Sequence, residues 1–277
     1  MAQEGFWGSP ALPRAPQGSL AHDTRSILSF NLRLMDAALG AGASAATPTA
    51  SPALPRLCVD HLVWVVPSLS EGADAFEALT GVRPCQGGRH PGLGTHNALA
   101  SLGQGAYLEL LAADPAQPPG PPWLGLGAPG LPRLTTFCAR RADDTAGIAG
   151  AVDALGEIAR SAKELGGYDV GTVQDMSREA PDGGVVRWRL AAGKHRCGHE
   201  CLPGGGLVPF LIDWSPNERP HPSKASPGGC TLLALRARHP EPTAVGAILA
   251  AMGADSCLER SQEAPQGVAW GPEARLE

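Results

Sequence analysis

The sequence predicts an α+β fold built from strand-helix units that repeat along the chain. Three observations carry this: period-2 apolar runs feed directly into period-3.6 runs, the helical runs stop at glycine, and the pattern starts again from Leu57, Leu134 and Thr231. Gly (36) and Pro (27) are abundant and charged residues make only 18%, which suits a globular body with long loops. At 277 residues the chain is long enough for one large or two small domains with a real core.

The first unit runs from Leu57 to Gly81. Leu57, Val59, His61, Val63 and Val65 alternate with Cys58, Asp60, Leu62, Trp64 and Val66, so both strand faces are expected to be mostly covered. Pro67 ends the ladder, Ser68 with Glu71 reads as a capping box, and Leu69, Ala73, Phe76 and Leu79 form a helical stripe stopped by Gly81. Strands over Gly94 to Leu102 and Ala106 to Ala112 follow, joined through Gly103 and Gly105, so this unit reads βαββ. Tyr107, Glu109 and Leu111 share one face, which embeds an acid in an apolar strand, where a carboxylate needs a partner or a metal. Gly87 to Asn97, with His90, Thr95, His96 and Asn97 among its glycines, reads as a rim loop that either touches ligand or serves turn chemistry alone.

Residues 113–132 are too rich in proline for helix or ladder and mark a joint. Beyond it come a strand from Leu134 to Arg140, a helix from Thr145 to Leu165, and strands Gly171 to Glu179, Val185 to Ala191 and Leu207 to Trp214, with Pro181 to Gly184 as a hairpin turn. Arg187 and Arg189 flank Trp188 and share a face, which makes them carboxylate clamps if that face lines a cavity and a solvated face otherwise. His195, Cys197, His199 and Cys201 alternate within KHRCGHEC. Such soft ligands suit zinc, but structural sites usually draw on two separated knuckles, so a Gly-rich loop and a Cys197/Cys201 redox pair compete with it. The third copy, strand Thr231 to Arg238 and helix Thr243 to Met252, has only Gln266 to Leu276 left for returning strands and is expected to be incomplete.

Residues 1–55, rich in Ala, Ser, Pro and Gly, are expected to be disordered apart from a helix over Ser26 to Leu39. The net charge of −5 argues against nucleic acid as a partner, and no apolar run approaches the ~20 residues of a membrane span. Seven scattered cysteines without a secretory segment point to free thiols in a reducing compartment. The cytoplasm is the expected location and an organelle the alternative, because Arg14, Arg25 and Arg33 of the extension are matched by Glu4, Asp23 and Asp36 where transit peptides are acid-poor.

The segments DHLVWVVPSL, GGRHPGLGTHNALASLG, YLELLAADP, MSREAPDGGVVRWRL, PFLIDWSPNERPHPS and GCTLLALRARHPEP, in this order between about Leu57 and Gly253, resemble the glyoxalase-like domain family of the vicinal oxygen chelate superfamily. The resemblance implies paired βαβββ modules, over 56–113 and 133–215 of a domain spanning 56–229, that form a cup-shaped half-open barrel around a small-molecule ligand. It leaves residues 230–277 as a partial third βα unit packed on that domain. It also implies a divalent ion, Zn, Mn, Fe or Ni, held by His and Glu/Gln side chains of both modules.

Matched segment by segment, His61 corresponds to the first-strand histidine, Glu109 to the acid of the first module, and Asp213, in place of Glu, to the last-strand acid of the second. The fourth ligand would fall near Leu134 or Thr135 and is missing; His221 is the candidate substitute. A histidine and two carboxylates with an open position suit such an ion, which would polarise neighbouring substrate oxygens. In the competing reading His61 is a satisfied core histidine, and Glu109 and Asp213 pair with Arg187 or Arg189. Two function classes follow. One is a metal-assisted lyase, isomerase or dioxygenase acting on a small oxygen-rich molecule, with Glu109 catalytic and His90, His96, Asn97, Arg187 and Arg189 binding ligand. The other is a metal-free protein that sequesters a small molecule in the same cup. A homodimer is open in either case.

Overall fold

The computed structural model describes residues 56–120, 123–126, 130–142, 154–180, 182–195, 201–260 and 271–276. The readings made for residues 1–55, for Cys197 and His199, and for the start of the Thr145 helix lie outside them.

Strand β1 (Leu57–Val65), helix α1 (Leu69–Thr80) and strands β2 (Cys85–His90), β3 (Thr95–Ser101) and β4 (Tyr107–Ala113) form one βαβββ unit. Strand β5 (Arg133–Arg141), helix α2 (Ala154–Gly166) and strands β6 (Val173–Glu179), β7 (Val185–Ala191) and β8 (Phe210–Asp213) form the second. Helix α1 starts and stops as its sequence predicts: Ser68 accepts the backbone N–H of Glu71, and Gly81 takes a left-handed φ of 74°.

The halves meet where β1 pairs antiparallel with β5, while β4 and β8 lie parallel to their own first strands. The result is one eight-stranded sheet in the order β2-β3-β4-β1-β5-β8-β7-β6. Its two edges return toward each other, with Arg178 Nη1 of β6 donating to the Gly87 carbonyl of β2 at 2.9 Å. The sheet is thereby a nearly closed cup. A Cβ at Gly88 would stand 2.7 Å from the Glu179 carbonyl, so this seam requires glycine.

Cys85 to His90 thus forms a strand where a rim loop was expected; its Gly-Gly pair hides the β pattern. Strand β8 is shorter than expected, because the 3₁₀ turn over Pro203–Gly206 takes up the N–H groups of Leu207 and Val208. The third copy is fuller than expected. After a short helix α3 (Pro222–Ala225), strand β9 (Leu232–Arg238), helix α4 (Pro242–Met252) and strands β10 (Glu259–Arg260) and β11 (Gly271–Leu276) build a second sheet, ordered β10-β9-β11. Helix α4 rests on α2, where Ser161 Oγ donates to the Ala251 carbonyl at 2.7 Å.

Two apolar layers result. The convex face of the large sheet buries Leu62, Trp64, Leu108, Leu110 and Phe137 under Phe76 of α1 and Ile158 of α2. The concave face carries Val63, Val65, Leu111, Trp188, Phe210 and Ile212, joined by Trp123 and Leu124. The proline-rich joint is therefore also a plug. Cys58, Cys85, Cys138, Cys230 and Cys257 lie outside any disulfide, whereas Cys201, expected to do the same, is disulfide-bonded.

Candidate functional site

A bulge in β1 builds the site. Val59 stands opposite Ala139 and His61 opposite Cys138, which leaves Asp60 as an extra residue. The alternation resets there. Leu57 and Val59 pack into the convex layer, while His61 lines the concave cavity and Val63 and Val65 pack in its layer, so Val59 does not share the face of His61 as strict alternation predicts.

Asp60 is fully buried, yet both its oxygens are engaged. Oδ1 lies 2.7 Å from His61 Nδ1; Oδ2 accepts from Trp214 Nε1 at 3.0 Å, lies 3.0 Å from His221 Nε2, and pairs with Arg140 Nε at 3.3 Å. Burial by itself would raise the Asp60 carboxyl, but the hydrogen bonds from His221 and His61 outweigh it and hold the group well below the carboxylate range. An ionised Asp60 only accepts, so His61 carries a proton on Nδ1. The other nitrogen, Nε2, faces Glu109 Oε2 at 3.6 Å.

Glu109 is positioned by strand pairing: it lies beside Val63 on β1 and opposite Leu99 on β3. Its Oε1 accepts from Asn97 Nδ2 at 2.7 Å and lies 3.9 Å from His90 Nε2. Asn97 Oδ1 accepts the Gly88 N–H at 2.8 Å, and His90 Nδ1 meets Thr95 Oγ1 at 2.8 Å. Burial lowers the His90 pKa, with the Glu109 charge opposing. Tyr107 stacks on His61 at 4.7 Å, and burial followed by the charges of Asp60 and Glu109 pushes its phenol well up. These groups form one wall of a cavity with about 690 Å³ of empty space, its open mouth included. The other walls are mostly apolar and aromatic, with Trp123, Met176, Trp188, Phe210 and Trp214, and Arg178 at the seam.

Of the residues singled out in the sequence, His61, Glu109, His90 and Asn97 come together in this cavity. The remaining ones lie elsewhere. His96 is on the opposite face of β3 from Asn97, near Asp114 and Arg89. Arg187 is exposed and Arg189 is ion-paired with Asp213, both on the side of β7 opposite the cavity-lining Trp188. Asp213 also accepts from the Ser215 N–H at 2.8 Å and its hydroxyl at 2.9 Å; burial alone would raise its pKa, but these bonds and Arg189 lower it. His195 is buried against Phe210, with Nε2 2.9 Å from the Val208 carbonyl, and burial lowers its pKa to about 4.

Register explains Asp213. His61 pairs with Tyr107 and Val63 with Glu109 in the first half; in the second, Cys138 pairs with Phe210, which puts Ile212 two residues on at the position of Glu109. Asp213 is one residue further, and in a strand one residue is the other face. Cys138, not Leu134 or Thr135, therefore occupies the position equivalent to His61.

The implied metal can be tested against these donors. Asp60, His61 and Cys138 place one ligand atom each within 4.8 Å of one another. However, Asp60 is already saturated, and burial with the charges of Asp60 and Glu109 pushes the Cys138 thiol well up. The better pair is His61 Nε2 and Glu109 Oε2, whose 3.6 Å separation lies within the ~4 Å that two bonds of ~2 Å can bridge. Those two side chains fit an ion; Ile212 and Asp213 offer it nothing.

Sequence reasoning missed Asp60, Arg178 and Trp214. Asp60 carried the signal that flagged Glu109, an acid in an apolar strand, but alternation assigned it to the wrong face. Arg178 has no such signal, since it lines the cavity only because the sheet closes on itself.

A family model described as a glyoxalase-like domain matches residues 59–253. A search of curated proteins found no match. Among solved structures, a hypothetical protein from Staphylococcus aureus aligns at 16% identity over 71% of this chain and 75% of its own, with a TM-score of 0.46. Methylmalonyl-CoA epimerase from Mycobacterium tuberculosis aligns at 16% identity over 59% and 91%, with a TM-score of 0.32. The Streptomyces coelicolor methylmalonyl-CoA epimerase in complex with 2-nitronate-propionyl-CoA gives 18% over 58% and 97%, with a TM-score of 0.35. Since the family model spans well over half of the sequence, this chain belongs to the glyoxalase-like domain family.

Proposed function

We propose that the protein is a small-molecule lyase or isomerase that moves a proton at a carbon next to an oxygen-bearing group. The observation that carries this is the His61 Nε2 to Glu109 Oε2 approach of 3.6 Å, aimed into a mostly apolar cup. Glu109 is the base, since Asn97 holds Oε1 and leaves Oε2 toward His61 and the cavity. His61 is its partner. Asp60 stabilises the imidazolium, whose Nε2–H can donate to the oxygen that gains charge as Glu109 removes the carbon-bound proton. Delivery of the proton from Glu109 to the neighbouring carbon, which formerly bore the oxygen double bond, completes an isomerisation; departure of a group from the adjacent carbon completes a lyase reaction. A divalent ion bound by His61 and Glu109 would add polarisation of two neighbouring substrate oxygens. The cytoplasm is the proposed site of action, a reading supported by the cysteines outside any disulfide, Cys85, Cys138, Cys230 and Cys257.

Two measurements test this reading. The first is deuterium incorporation from D₂O into a panel of small oxo- and hydroxy-acids, followed by NMR. Exchange that disappears in Glu109→Gln supports the assignment, and undiminished exchange in that variant ends it. The second is elemental analysis of the purified protein. Stoichiometric transition metal, lost in His61→Ala, supports the metal-assisted form.

A second reading, a metal-free binding protein, draws on Cys138 and Ile212 at the positions equivalent to His61 and Glu109. Absence of metal, no thermal stabilisation by Mn²⁺, Ni²⁺ or Zn²⁺, and no exchange would favour it.

A further inference from the structure

We propose that Arg178 is the anion clamp of the cup, and that its ligand is a small monocarboxylate with a flat apolar body. This deepens the reading above and rests on its small-molecule cavity, not on its chemistry.

Arg178 is half-buried at the seam between β2 and β6 and lines the cavity. It donates from Nη1 to the Gly87 carbonyl at 2.9 Å, and among the described residues no carboxylate lies within ion-pair distance of it. A guanidinium offers five N–H donors in a rigid fork suited to bidentate carboxylate binding. One backbone carbonyl leaves most of that fork unused. The guanidinium charge already reaches the site, because it opposes protonation of His90 and favours ionisation of Tyr107.

The same wall runs from His61 through Glu109 to His90, each within 4 Å of the next, and the charge of Arg178 is felt at His90. Trp123, Trp188 and Trp214 with Phe210 supply aromatic surface for a flat body. A cup of this lining, with one uncommitted cation, selects one negative charge on an otherwise apolar molecule.

The experiment is titration of the full chain with phenylacetate and 3-phenylpropionate, each beside its neutral amide, followed by quenching of tryptophan fluorescence. The expected result is carboxylate binding roughly 10- to 100-fold tighter than the amide, the scale of a charge-assisted hydrogen bond. Arg178→Gln brings the carboxylate down to the affinity of the amide and leaves amide binding unchanged, which shows that the cup is intact. Arg178→Lys keeps part of the preference. Equal binding of acid and amide by the wild type, or a preference that survives in Arg178→Gln, overturns the clamp. So does tighter binding of phenyl phosphate than of either carboxylate. Glu109→Gln separates this from the catalytic reading: carboxylate binding that needs Arg178 but proton exchange that does not need Glu109 leaves the clamp standing and removes the base.

Discussion

Asp60 grips His61 through Nδ1 at 2.7 Å and so turns the opposite ring nitrogen to within 3.6 Å of Glu109. Orientation of a histidine by a carboxylate on its far nitrogen is the usual way to fix a tautomer and raise basicity. Here the same carboxylate also holds His221 and Trp214, which ties β1 to the chain after β8.

Asp60→Asn is therefore expected to cost about 3 kcal/mol, because it leaves His221, Trp214 and Arg140 around a neutral group. The folded pKa is depressed, so the stabilisation is present above the unfolded value and lost as pH falls below about 4. Urea unfolding of both proteins at pH 7 and pH 3 checks this. The gap between them should narrow at pH 3; a constant gap would mean that the charge of Asp60 is not what stabilises.

Burial lowers the His195 pKa to about 4, so its neutral form is favoured in the folded protein. Its stabilising share is complete above the unfolded value near 6.5 and falls away between there and 4, by about 3 kcal/mol in all. His195→Gln should flatten that part of the stability-pH curve. An unchanged slope between pH 6.5 and 4 would rule His195 out as its source.

Asp213→Asn is expected to leave metal content and ligand binding unchanged and to lower stability by about 1 kcal/mol, the scale of a partly exposed ion pair. Glu109→Gln should do the reverse, removing any bound metal with little effect on unfolding. Elemental analysis and thermal melts of the two variants side by side decide between the two carboxylates.

A methyl group at Gly88 would meet the Glu179 carbonyl at 2.7 Å and Arg178 Nη1 at 2.8 Å. Gly88→Ala should destabilise by about 1–3 kcal/mol and weaken phenylacetate binding, because the seam and the guanidinium must both shift. Loss of stability with undiminished phenylacetate affinity would show that Arg178 acts independently of the seam.

The strand-helix units, their caps and the βαβββ order of the second half are legible in the sequence because each rests on a local pattern, such as Ser68 capping α1 and Gly81 ending it. His61 and Glu109 are legible as polar groups in apolar strands. What escaped depends on register and closure. Asp213 looked equivalent to Glu109 until pairing put Ile212 at that position, and Arg187 looked like a clamp until Trp188 took the inner face. Arg178 became a cavity residue only when β6 returned to β2, a contact 91 residues apart in sequence.

The bulge at Asp60 adds a residue that the apolar pattern of its strand does not use. Excise that one residue on paper, and Leu57 and Val59 still fall on the helix-covered side while His61, Val63 and Val65 still fall inside, because regular alternation then runs through the whole strand. No apolar side chain would change sides. The core has no need of Asp60 for its pattern, and what the inserted residue adds is a buried charge beside the histidine.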